Sequence, residues 1–481
     1  ECFVSCLDAS VWVVWVVQTF EQVFVTLVTV RVDRVEIIFS SMRLSQLHRP
    51  NVVLVRSTEQ GTRLARRRLH AGLPGFTMPG HCDKLHPYHH RHTRPRTMGS
   101  FVFQTVPTIL VQAGAAASLG ELLQKRFAPG RACVVTDKFL YTSGLLQPAL
   151  DSLARTGWTV LVISDVQADP PDQVVLGIAD RARSFGTEVV IGLGGGSSMD
   201  VAKLVAVLLA GGQPLEDMYG IDKVLGDRLP LVQIPTTAGT GSEVTPIAIV
   251  TTGATTKSGI VARQLYADMA ILDAELTLGL PPSITAATGI DAMVHAIEAF
   301  TSARLKNPLS DHLAIKALQL LADNLVEVCR NGANVQAREA VLLGAMLAGQ
   351  AFANAPVAAV HALAYPLGGV FHLPHGLSNA LVLPHVLRFN AEAAAPHYAA
   401  LADALLPGTT GDHHAKTAAF INHIEALITA TQMPNRLRDH GIQQADLPRL
   451  AADAMLQTRL LVNNPREVLE ADALAIYQQA Y

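Results

Sequence analysis

The stretch Thr187-Glu-Val-Val-Ile-Gly-Leu-Gly-Gly-Gly-Ser-Ser-Met-Asp-Val-Ala-Lys203 joins a short apolar run to a helical pattern through consecutive glycines. The run predicts a strand, and the segment from Val201 predicts a helix. Glycines let a backbone approach a phosphate closely, and the free N–H groups that begin the helix attract an anion. We therefore predict a phosphate-binding loop at residues 194–200, the alternative being a tight turn without a ligand.

Apolar strands and helical patterns alternate around this loop. Continuous apolar strands separated by helices indicate a parallel sheet that is covered on both faces. Beyond about residue 282 strand signals almost vanish, and long stretches rich in Ala and Leu predict a helical domain. The predicted strands are residues 106–114, 131–137, 157–164, 187–193 and 231–235, and the clearest predicted helices are residues 172–185, 199–209, 311–328, 338–353 and 447–461.

A second polar loop follows the strand at residues 231–235 and carries Thr236, Thr237, Thr240 and Ser242. Open α/β sheets hold ligands at the carboxyl ends of their strands. The second loop alone is equally consistent with an ordinary turn, but together with the glycine loop it favours a nucleotide. Asp137, at the end of another predicted strand, can accept hydrogen bonds from ribose hydroxyls or cap the next helix.

Four residues in the C-terminal half predict a metal site. Asp291 and His295 are four apart in a helical stretch, which stacks the carboxylate and the imidazole on one face. His361 and His375 follow in two further motifs. One carboxylate and three imidazoles suit Fe(II) or Zn(II) better than a metal that prefers thiolates. The alternatives without a metal are buried core histidines and an Asp–His pair on a helix surface.

The composition is that of a globular protein with room for two or three domains: 481 residues, 49% hydrophobic, 16% charged, formal net charge −3. This near-neutral balance gives no reason to expect nucleic acid or a charged membrane as the main partner. Five scattered cysteines without a CxxC pair indicate neither a disulfide framework nor a zinc ribbon. We therefore expect a reducing, cytoplasmic setting.

Residues 1–97 differ from the rest of the chain. They contain 13 basic and 7 acidic residues, a net +6, whereas the remainder carries a net −9. Their apolar run at residues 11–17 is short for a membrane span, which needs about 20 apolar residues. A disordered basic arm and a nucleic-acid arm are alternatives. We favour an atypical extension translated upstream of a true start at Met98.

Together these motifs resemble the iron-containing (group III) alcohol dehydrogenases, from about residue 101 to the C-terminus. The resemblance implies the dehydroquinate synthase-like architecture of that family. A Rossmann-like α/β domain (residues 98–282) would hold NAD, and an all-helical domain (residues 283–481) would hold Fe(II), sometimes Zn(II). It implies that the metal ligands are Asp291, His295, His361 and His375. It implies that the cofactor contacts are Asp137, Gly194, Gly195, Gly196, Ser197, Asp200, Thr236, Thr237, Thr240, Ser242 and Lys257.

One position departs from the family pattern. Many members carry a histidine close to the substrate where this chain has Tyr365. A phenol donates a hydrogen bond but is a poor acid–base near neutral pH, because its pKa is about 10. His372, three residues before His375, is a possible substitute. The candidate catalytic residues are therefore His372 and Tyr365, and the proton path stays open.

We predict an NAD-dependent iron-containing alcohol dehydrogenase that transfers a hydride between NAD(H) and a small alcohol and its aldehyde or ketone. The protein is expected to be a cytoplasmic homo-oligomer, a dimer or larger, without nucleic-acid or membrane partners. One alternative is a hydroxyacid–oxoacid transhydrogenase of the same family, whose members also have Tyr at this position. A second is a relative that binds metal and nucleotide without catalysis. Maleylacetate reductase fits less well, because that subgroup lacks the acids at positions 200 and 291.

Overall fold

The computed structural model describes residues 100–253 and 256–481, together with the backbone of four strands between residues 2 and 43. Residues 1–96 and 97–481 are separate units. The four N-terminal strands pair antiparallel in chain order: β1 (Cys2–Leu7), β2 (Ser10–Thr19), β3 (Gln22–Arg31) and β4 (Glu36–Arg43). Whether residues 1–97 are an upstream extension is not tested by these strands and stays a prediction.

A six-stranded parallel sheet organises the first part of the larger unit. Every residue of the two central strands that carry the predicted loops is buried, as expected for strands with both faces covered. The sheet order is β5 (Ile109–Val111), β13 (Met269–Leu272), β10 (Leu231–Pro235), β8 (Val189–Gly194), β6 (Arg131–Asp137) and β7 (Thr159–Val166).

The register of β8 and β10 positions the two predicted loops. Gly194 at the end of β8 pairs with Pro235 at the end of β10. Because both strands end at the same edge of the sheet, the glycine loop and the second polar loop lie side by side. The sequence prediction that both loops face one ligand is consistent with this register.

Five helices connect the strands of this sheet. The helix at Asp172–Phe185 has the predicted bounds, and it ends where Gly186 adopts a left-handed φ of 73°. Its buried residues are Val175, Ile178, Ala179 and Ala182, which share one helical face. In chain order the helices are α1 (Leu119–Gln124), α2 (Lys138–Thr142), α3 (Gln147–Arg155), α4 (Asp172–Phe185) and α5 (Gly196–Ala210).

A small three-stranded sheet lies outside the sequence prediction. Strands β11 (Ile247–Thr252) and β12 (Thr256–Val261) form an antiparallel hairpin, and β9 (Gly220–Ile221) pairs parallel with β12. Buried Ala248 and Val250 alternate with partly exposed neighbours, which is the pattern of a half-buried strand. The hairpin carries Lys257 towards the functional site described below.

Beyond β13 all regular elements in the described part of the chain are helical, as predicted. Short 3-10 turns connect some of them. The helices are α6 (Pro282–Thr301), α7 (Pro308–Arg330), α8 (Val335–Asn354), α9 (Ala359–Phe371), α10 (His375–Asn390), α11 (Ala395–Leu405), α12 (His413–Ala430), α13 (Leu447–Met455), α14 (Thr458–Leu461) and α15 (Glu470–Ala480).

The prediction of a single helix at residues 447–461 is wrong, because the chain breaks between α13 and α14. Leu456 is 73% exposed, whereas Leu460 is buried. In one continuous helix these two residues, four apart, would share a face. The break lets Leu460 turn into the core while Leu456 remains at the surface.

One apolar core runs through both parts of the larger unit, from Val190 in β8 to Leu363 in α9. A domain boundary at residues 282 and 283 coincides with the start of α6 but stays a prediction. Among the described helices, none is by itself long and apolar enough to cross a bilayer, although α8 and α9, bent by 106° at their junction, pass that test as a pair.

Candidate functional site

Two glycines of the glycine loop, Gly194 and Gly196, leave no room for a side chain. A Cβ added to Gly194 would lie 2.7 Å from Ser198 Oγ, and one added to Gly196 would lie 2.7 Å from Thr240 Cγ2. Gly195 is the N-cap of α5 and Gly196 is its first residue. The loop therefore presents bare backbone at a helix N-terminus and packs directly on the second polar loop.

A buried lysine that the sequence analysis did not assign ties the two loops together. Lys203 Nζ donates to Ser242 Oγ and to the Ile247 carbonyl, both at 2.7 Å, and lies 3.4 Å from Asp200 Oδ1. Asp200 also accepts from Ser242 Oγ at 2.5 Å and from the Ile249 amide at 2.9 Å. Burial lowers the pKa of Lys203, and the Asp200 carboxylate opposes this shift. A lysine three residues after Asp200, inside an apolar helix, was the available signal.

Asp291, His361 and His375 converge in the helical part. Their ligand atoms all lie within 4.8 Å of one another. Asp291 Oδ1 is 3.8 Å from His361 Nε2 and 3.6 Å from His375 Nε2. The three residues come from α6, α9 and the first position of α10, so the fold gathers side chains that are 84 residues apart at most in sequence.

Glu298 fixes the orientation of His361. Its Oε2 lies 2.7 Å from His361 Nδ1, which leaves Nε2 directed at Asp291. The same carboxylate accepts from the backbone amides of Ala358 at 2.9 Å and Val360 at 2.7 Å. Glu298 was not predicted as a site residue, although it lies seven residues after Asp291 and therefore on the same helical face.

His295 lies beside this cluster rather than within it. Its ring stacks between Phe352 and His361, with centroid separations of 4.3 and 4.8 Å. Its Nδ1 is buried and has no hydrogen-bond partner. Burial lowers the pKa of His295 to about 3, so the imidazole is neutral at physiological pH. A neutral imidazole with an unused lone pair or N–H in the core is chemically suited to a metal.

Asn379 reaches the same three ligand atoms from α10. Its Nδ2 donates to Asp291 Oδ1 at 2.5 Å and lies 3.3 Å from His361 Nε2 and 3.4 Å from His375 Nε2. Its Oδ1 is buried without a partner. The amide therefore orients the Asp291 carboxylate, a role that the sequence analysis did not assign.

One cleft joins the glycine loop to the histidine cluster. Residues of the glycine loop and of the histidine cluster line this cleft together with apolar and charged side chains. Its lining is Asp169, Pro170, Gly196, Ser197, Asp200, Thr240, Ser242, Thr245, Ile247, Ile249, Lys257, Asp291, His295, Phe352, Val357, His361, Tyr365, His375, Arg459 and Leu460.

The remaining predicted cofactor residues lie outside this lining. Asp137 caps α2 by accepting from the Leu140 amide at 3.0 Å, which is the alternative role that the sequence left open. Thr236 is buried at the end of β10, and Thr237 would contact a side chain at Gly195. Gly194, Gly195, Asp137, Thr236 and Thr237 are not among the residues that line the cleft.

Lys257 lines the cleft next to the histidine cluster. Its Nζ lies 2.6 Å from Asp169 Oδ1, and its positive charge contributes to lowering the pKa of His375. Burial is the main cause of that shift, which brings the pKa of His375 to about 4. Asp169 adopts a left-handed φ of 51°, and Thr251 donates to its carbonyl at 2.9 Å. No sequence motif indicated this Lys257–Asp169 pair.

The two candidate catalytic residues lie in different places. The ring of Tyr365 lines the cleft, 6.0 Å from the ring of His375. Burial raises the pKa of Tyr365, and the Arg459 guanidinium opposes that rise by its charge and a hydrogen bond. His372 is exposed at the end of α9 with a left-handed φ of 57°, and it is not among the lining residues.

Comparison with known families identifies this arrangement. The model of the iron-containing alcohol dehydrogenase domain matches residues 107–274, and that of the Fe-containing alcohol dehydrogenase C-terminal domain matches residues 285–481. The chain belongs to the iron-containing alcohol dehydrogenase family. The first match covers the parallel sheet with its loops, and the second covers the helices that carry the histidine cluster.

Individual relatives cover the same part of the chain. Long-chain-alcohol dehydrogenase 1 of Geobacillus thermodenitrificans is 40% identical over 74% of this chain and 91% of its own length. NAD-dependent methanol dehydrogenase of Bacillus methanolicus is 32% identical over 78% of this chain and 98% of its own. A solved 1,3-propanediol oxidoreductase aligns with a TM-score of 0.77 at 34% identity, covering 80% of this chain and all of that chain.

Members of the iron-containing alcohol dehydrogenase family are NAD-dependent, iron-binding oxidoreductases that transfer a hydride between an alcohol and an aldehyde. The fold predicted from the sequence, a parallel-sheet N-terminal part with a helical C-terminal part, is confirmed. The predicted enzyme class and cofactors are confirmed with it. The individual site residues and the substrate are the subject of the proposals below.

Proposed function

We propose that the cleft between the glycine loop and the histidine cluster is the active site for oxidation of a small alcohol and reduction of the matching aldehyde or ketone. The observation that carries this proposal is the shared lining. Gly196 and Ser197 of the phosphate-type loop face the same space as Asp291, His361 and His375. A nucleotide held by the loop and a substrate oxygen held at the cluster would therefore meet in one cleft.

We propose Asp291, His295, His361 and His375 as the residues that hold Fe(II), with Zn(II) as the alternative metal. Three observations support the fit. The donor set is one carboxylate with imidazoles, the buried Nδ1 of His295 has no other partner, and Glu298 holds His361 with its Nε2 free for the cluster. The buried Asp291 carboxylate has a lowered pKa despite its desolvation, because the charges of the histidines outweigh it.

The cofactor would lie along the edge of the sheet. Backbone amides of Gly195, Gly196 and Ser197 at the start of α5 suit the pyrophosphate, since they offer free N–H groups and the positive end of the helix dipole. Thr240 and Ser242 lie on the adjoining loop and reach the cleft. Asp200 orients Ser242 through their 2.5 Å hydrogen bond.

Asp137, Gly194, Thr236, Thr237 and Lys257 complete the proposed cofactor site. Asp137 stands at the carboxyl end of β6, where an acid would repel a 2′-phosphate and so favour NAD over NADP. Lys257 lies in the cleft, although its ammonium is already paired with Asp169. Lys257 and the Asp169 carboxylate would therefore contact the cofactor as a pair.

When bound, Fe(II) supplies a Lewis acid that polarises the substrate oxygen, and NAD(H) carries the hydride. The residues of this chain orient those partners. Glu298 and Asn379 hold His361 and Asp291 in place, and apolar side chains of Phe352 and Val357 restrict water in the cleft. Orientation of this kind is worth several orders of magnitude in rate.

The geometry favours Tyr365 over His372 as the residue near the reacting oxygen. Tyr365 lines the cleft beside His375, whereas His372 is exposed outside the lining. The raised pKa of Tyr365 keeps its hydroxyl protonated. Tyr365 would therefore donate a hydrogen bond rather than act as a base at neutral pH, and solvent water would exchange the proton.

Metal and cofactor binding to the intact chain test this proposal separately from turnover. We would measure Fe(II) and Zn(II) content and NADH affinity for the wild type, for His361→Ala and for Gly196→Val. His361→Ala should lose metal and keep NADH binding, whereas Gly196→Val should keep metal and lose NADH binding. Retention of one metal per chain in His361→Ala would rule out the ligand set.

The assembly state and location belong to the same proposal. We propose a cytoplasmic homo-oligomer, a dimer or larger, that works without nucleic-acid or membrane partners. The near-neutral net charge of −3 supports the exclusion of nucleic acid. Light scattering after size-exclusion chromatography measures the mass directly, and a monomer at micromolar concentration would contradict the oligomer.

A further inference from the structure

Arg459 brings a positive charge into the cleft from a short helix. It belongs to α14 and lines the cleft with Tyr365 and His375, and its positive charge opposes the rise that burial causes in the pKa of Tyr365. A Cβ added to Gly259 on β12 would lie 3.5 Å from Arg459 Nη2, so this strand passes the guanidinium at van der Waals distance. No sequence motif drew attention to this residue.

The guanidinium has no acidic partner in the described part of the chain. No Asp or Glu oxygen there lies within 4.0 Å of it, although the arginines at positions 131, 155, 181, 183, 228, 388 and 449 all form such pairs. Lys257, the other cation that lines the cleft, is paired with Asp169 at 2.6 Å. Arg459 is therefore the cation in this lining that is free to bind an anion.

Arg459 and the histidine cluster line the same cleft. Tyr365 also lines it, with its ring 6.0 Å from the ring of His375. Apolar side chains of Val357 and Leu460 line the same cleft. The cleft thus contains the histidine cluster, apolar side chains and a guanidinium. This combination suits a short substrate that is polar at both ends.

We propose that Arg459 is a specificity-determining residue that binds the anionic group of a short aldehyde or alcohol whose reacting end lies at the histidine cluster. A guanidinium fits carboxylate and sulfonate groups with two parallel hydrogen bonds. This inference rests on the proposed function, because it assumes that the cleft is the active site. It narrows the proposed substrates from small alcohols in general to those that carry an anionic group at the end opposite the reacting carbon.

The reaction remains that of the family. For an aldehyde with an anionic tail, hydride from NADH adds to the carbonyl carbon, and one proton from solvent adds to the oxygen. The products are the corresponding alcohol and NAD⁺, and the anionic group is unchanged. Arg459 does not take part in bond making; it holds the far end of the substrate so that the carbonyl is presented at the cluster.

Butanal and 4-oxobutanoate provide the matched probes, because they have four carbons each and differ in the terminal carboxylate. We would measure kcat/KM for both with the metal-loaded full chain, as wild type, Arg459→Met and Arg459→Lys. We expect 4-oxobutanoate to be the better substrate of the wild type and to lose about 10- to 100-fold in Arg459→Met, as for a lost hydrogen bond to a charged group. Arg459→Lys should retain part of the preference, and in Arg459→Met any loss on butanal should be clearly smaller than the loss on 4-oxobutanoate.

Arg449→Met is the control for removing a positive charge close by. Arg449 lies on α13, pairs with Asp453 and is not among the cleft residues. Its loss should leave both aldehydes unchanged. A separate arm with 3-oxopropane-1-sulfonate, which has the same two CH₂ groups between the aldehyde and the anion, distinguishes a sulfonate from a carboxylate. The substrate with the higher kcat/KM names the anionic group, and loss of activity on either in Arg459→Met supports the guanidinium site.

Equal losses on butanal and 4-oxobutanoate in Arg459→Met would overturn the inference, as would a wild type that prefers butanal. A rise in the KM for NADH with no change in aldehyde preference would place the guanidinium on the cofactor and overturn it as well. Failure of the proposed function gives a different result, since the metal-loaded wild type would then reduce none of the aldehydes.

Discussion

Glu298 Oε2 lies 2.7 Å from Nδ1 of His361, and both groups are buried. This contact sets which ring nitrogen of His361 faces the cluster. A carboxylate on the remote nitrogen of a histidine fixes its tautomer and raises its basicity as a ligand. The metal centre that we propose therefore depends on a residue that does not itself belong to the cluster.

Replacing Glu298 should weaken the metal site without removing a ligand. Glu298→Gln keeps the shape of the side chain but loses its charge, and we expect metal affinity to fall by roughly 10- to 100-fold. Competition with a chelator of known affinity measures the change. Glu467→Gln, a substitution of an exposed glutamate, serves as the control. Unchanged affinity in Glu298→Gln would contradict the orienting role.

Lys203 should be required for stability more than any surface lysine. Lys203→Met removes a buried ammonium, its charge beside Asp200 and the hydrogen bonds that it donates to Ser242 and to the Ile247 carbonyl. We expect a loss of about 3–5 kcal/mol in the free energy of unfolding. The matched control, Lys416→Met, breaks a surface pair with Asp403 and should cost at most about 1 kcal/mol. Urea unfolding of the two variants compares them, and equal costs would refute the prediction.

The titration of Glu243 should make the free energy of unfolding depend on pH. Burial raises the pKa of Glu243 to about 7, above its value in the unfolded chain, and the nearby Lys203 charge opposes the rise. The folded state therefore keeps this proton longer, so the contribution is most favourable below about pH 4 and declines as pH rises through 7. Glu243→Gln removes the decline.

Thermal unfolding between pH 5 and 8 tests the role of Glu243. The stability of Glu243→Gln relative to the wild type should increase with pH, by roughly 2 kcal/mol over this range. Glu467→Gln again serves as the control, because Glu467 is exposed. A stability difference that stays constant with pH would show that the Glu243 carboxyl does not titrate there.

The contact between Gly196 and Thr240 should control cofactor binding. Gly196→Ala places a methyl group 2.7 Å from Thr240 Cγ2 and forces the two loops apart. Overpacking of this kind costs about 1–3 kcal/mol, so the KM for NADH should rise roughly 5- to 150-fold. Thr240→Ser keeps the hydroxyl and removes the clashing methyl, and the double variant should recover most of the affinity. Absence of recovery would mean that the loops do not meet as described.

Helices and strands that bury a regular face were predictable from the sequence. The bounds of α4 and β10 coincide with the predicted ones because their apolar spacing is regular. The hairpin of β11 and β12 was not predicted. Its strands are short and contain several Thr and Ser residues, so the segment resembles a polar loop in sequence. The break between α13 and α14 buries Leu460 and leaves Leu456 exposed. Helical spacing alone does not determine which of the two leucines is buried.

The site was predictable where residue types and spacing carried the chemistry. The structure brings Asp291, His361 and His375 together as expected, with His295 stacked alongside. The geometry at His372 was not predictable, because its left-handed φ of 57° turns the chain at the end of α9. Arg459 reaches the cleft through contacts between elements distant in sequence, for which one chain provides no pattern. Helical spacing from Asp200 and from Asp291 was the available signal for Lys203 and Glu298.

Turnover by metal-depleted and reloaded protein tests the central claim most directly. We would follow NADH oxidation by 4-oxobutanoate and butanal with the full chain purified without oxygen, then chelated, then titrated with Fe(II) or Zn(II). The account predicts that activity disappears with the chelator and returns at about one metal per chain, and that His361→Ala never regains it. Activity that persists in protein shown by elemental analysis to be free of metal would contradict it.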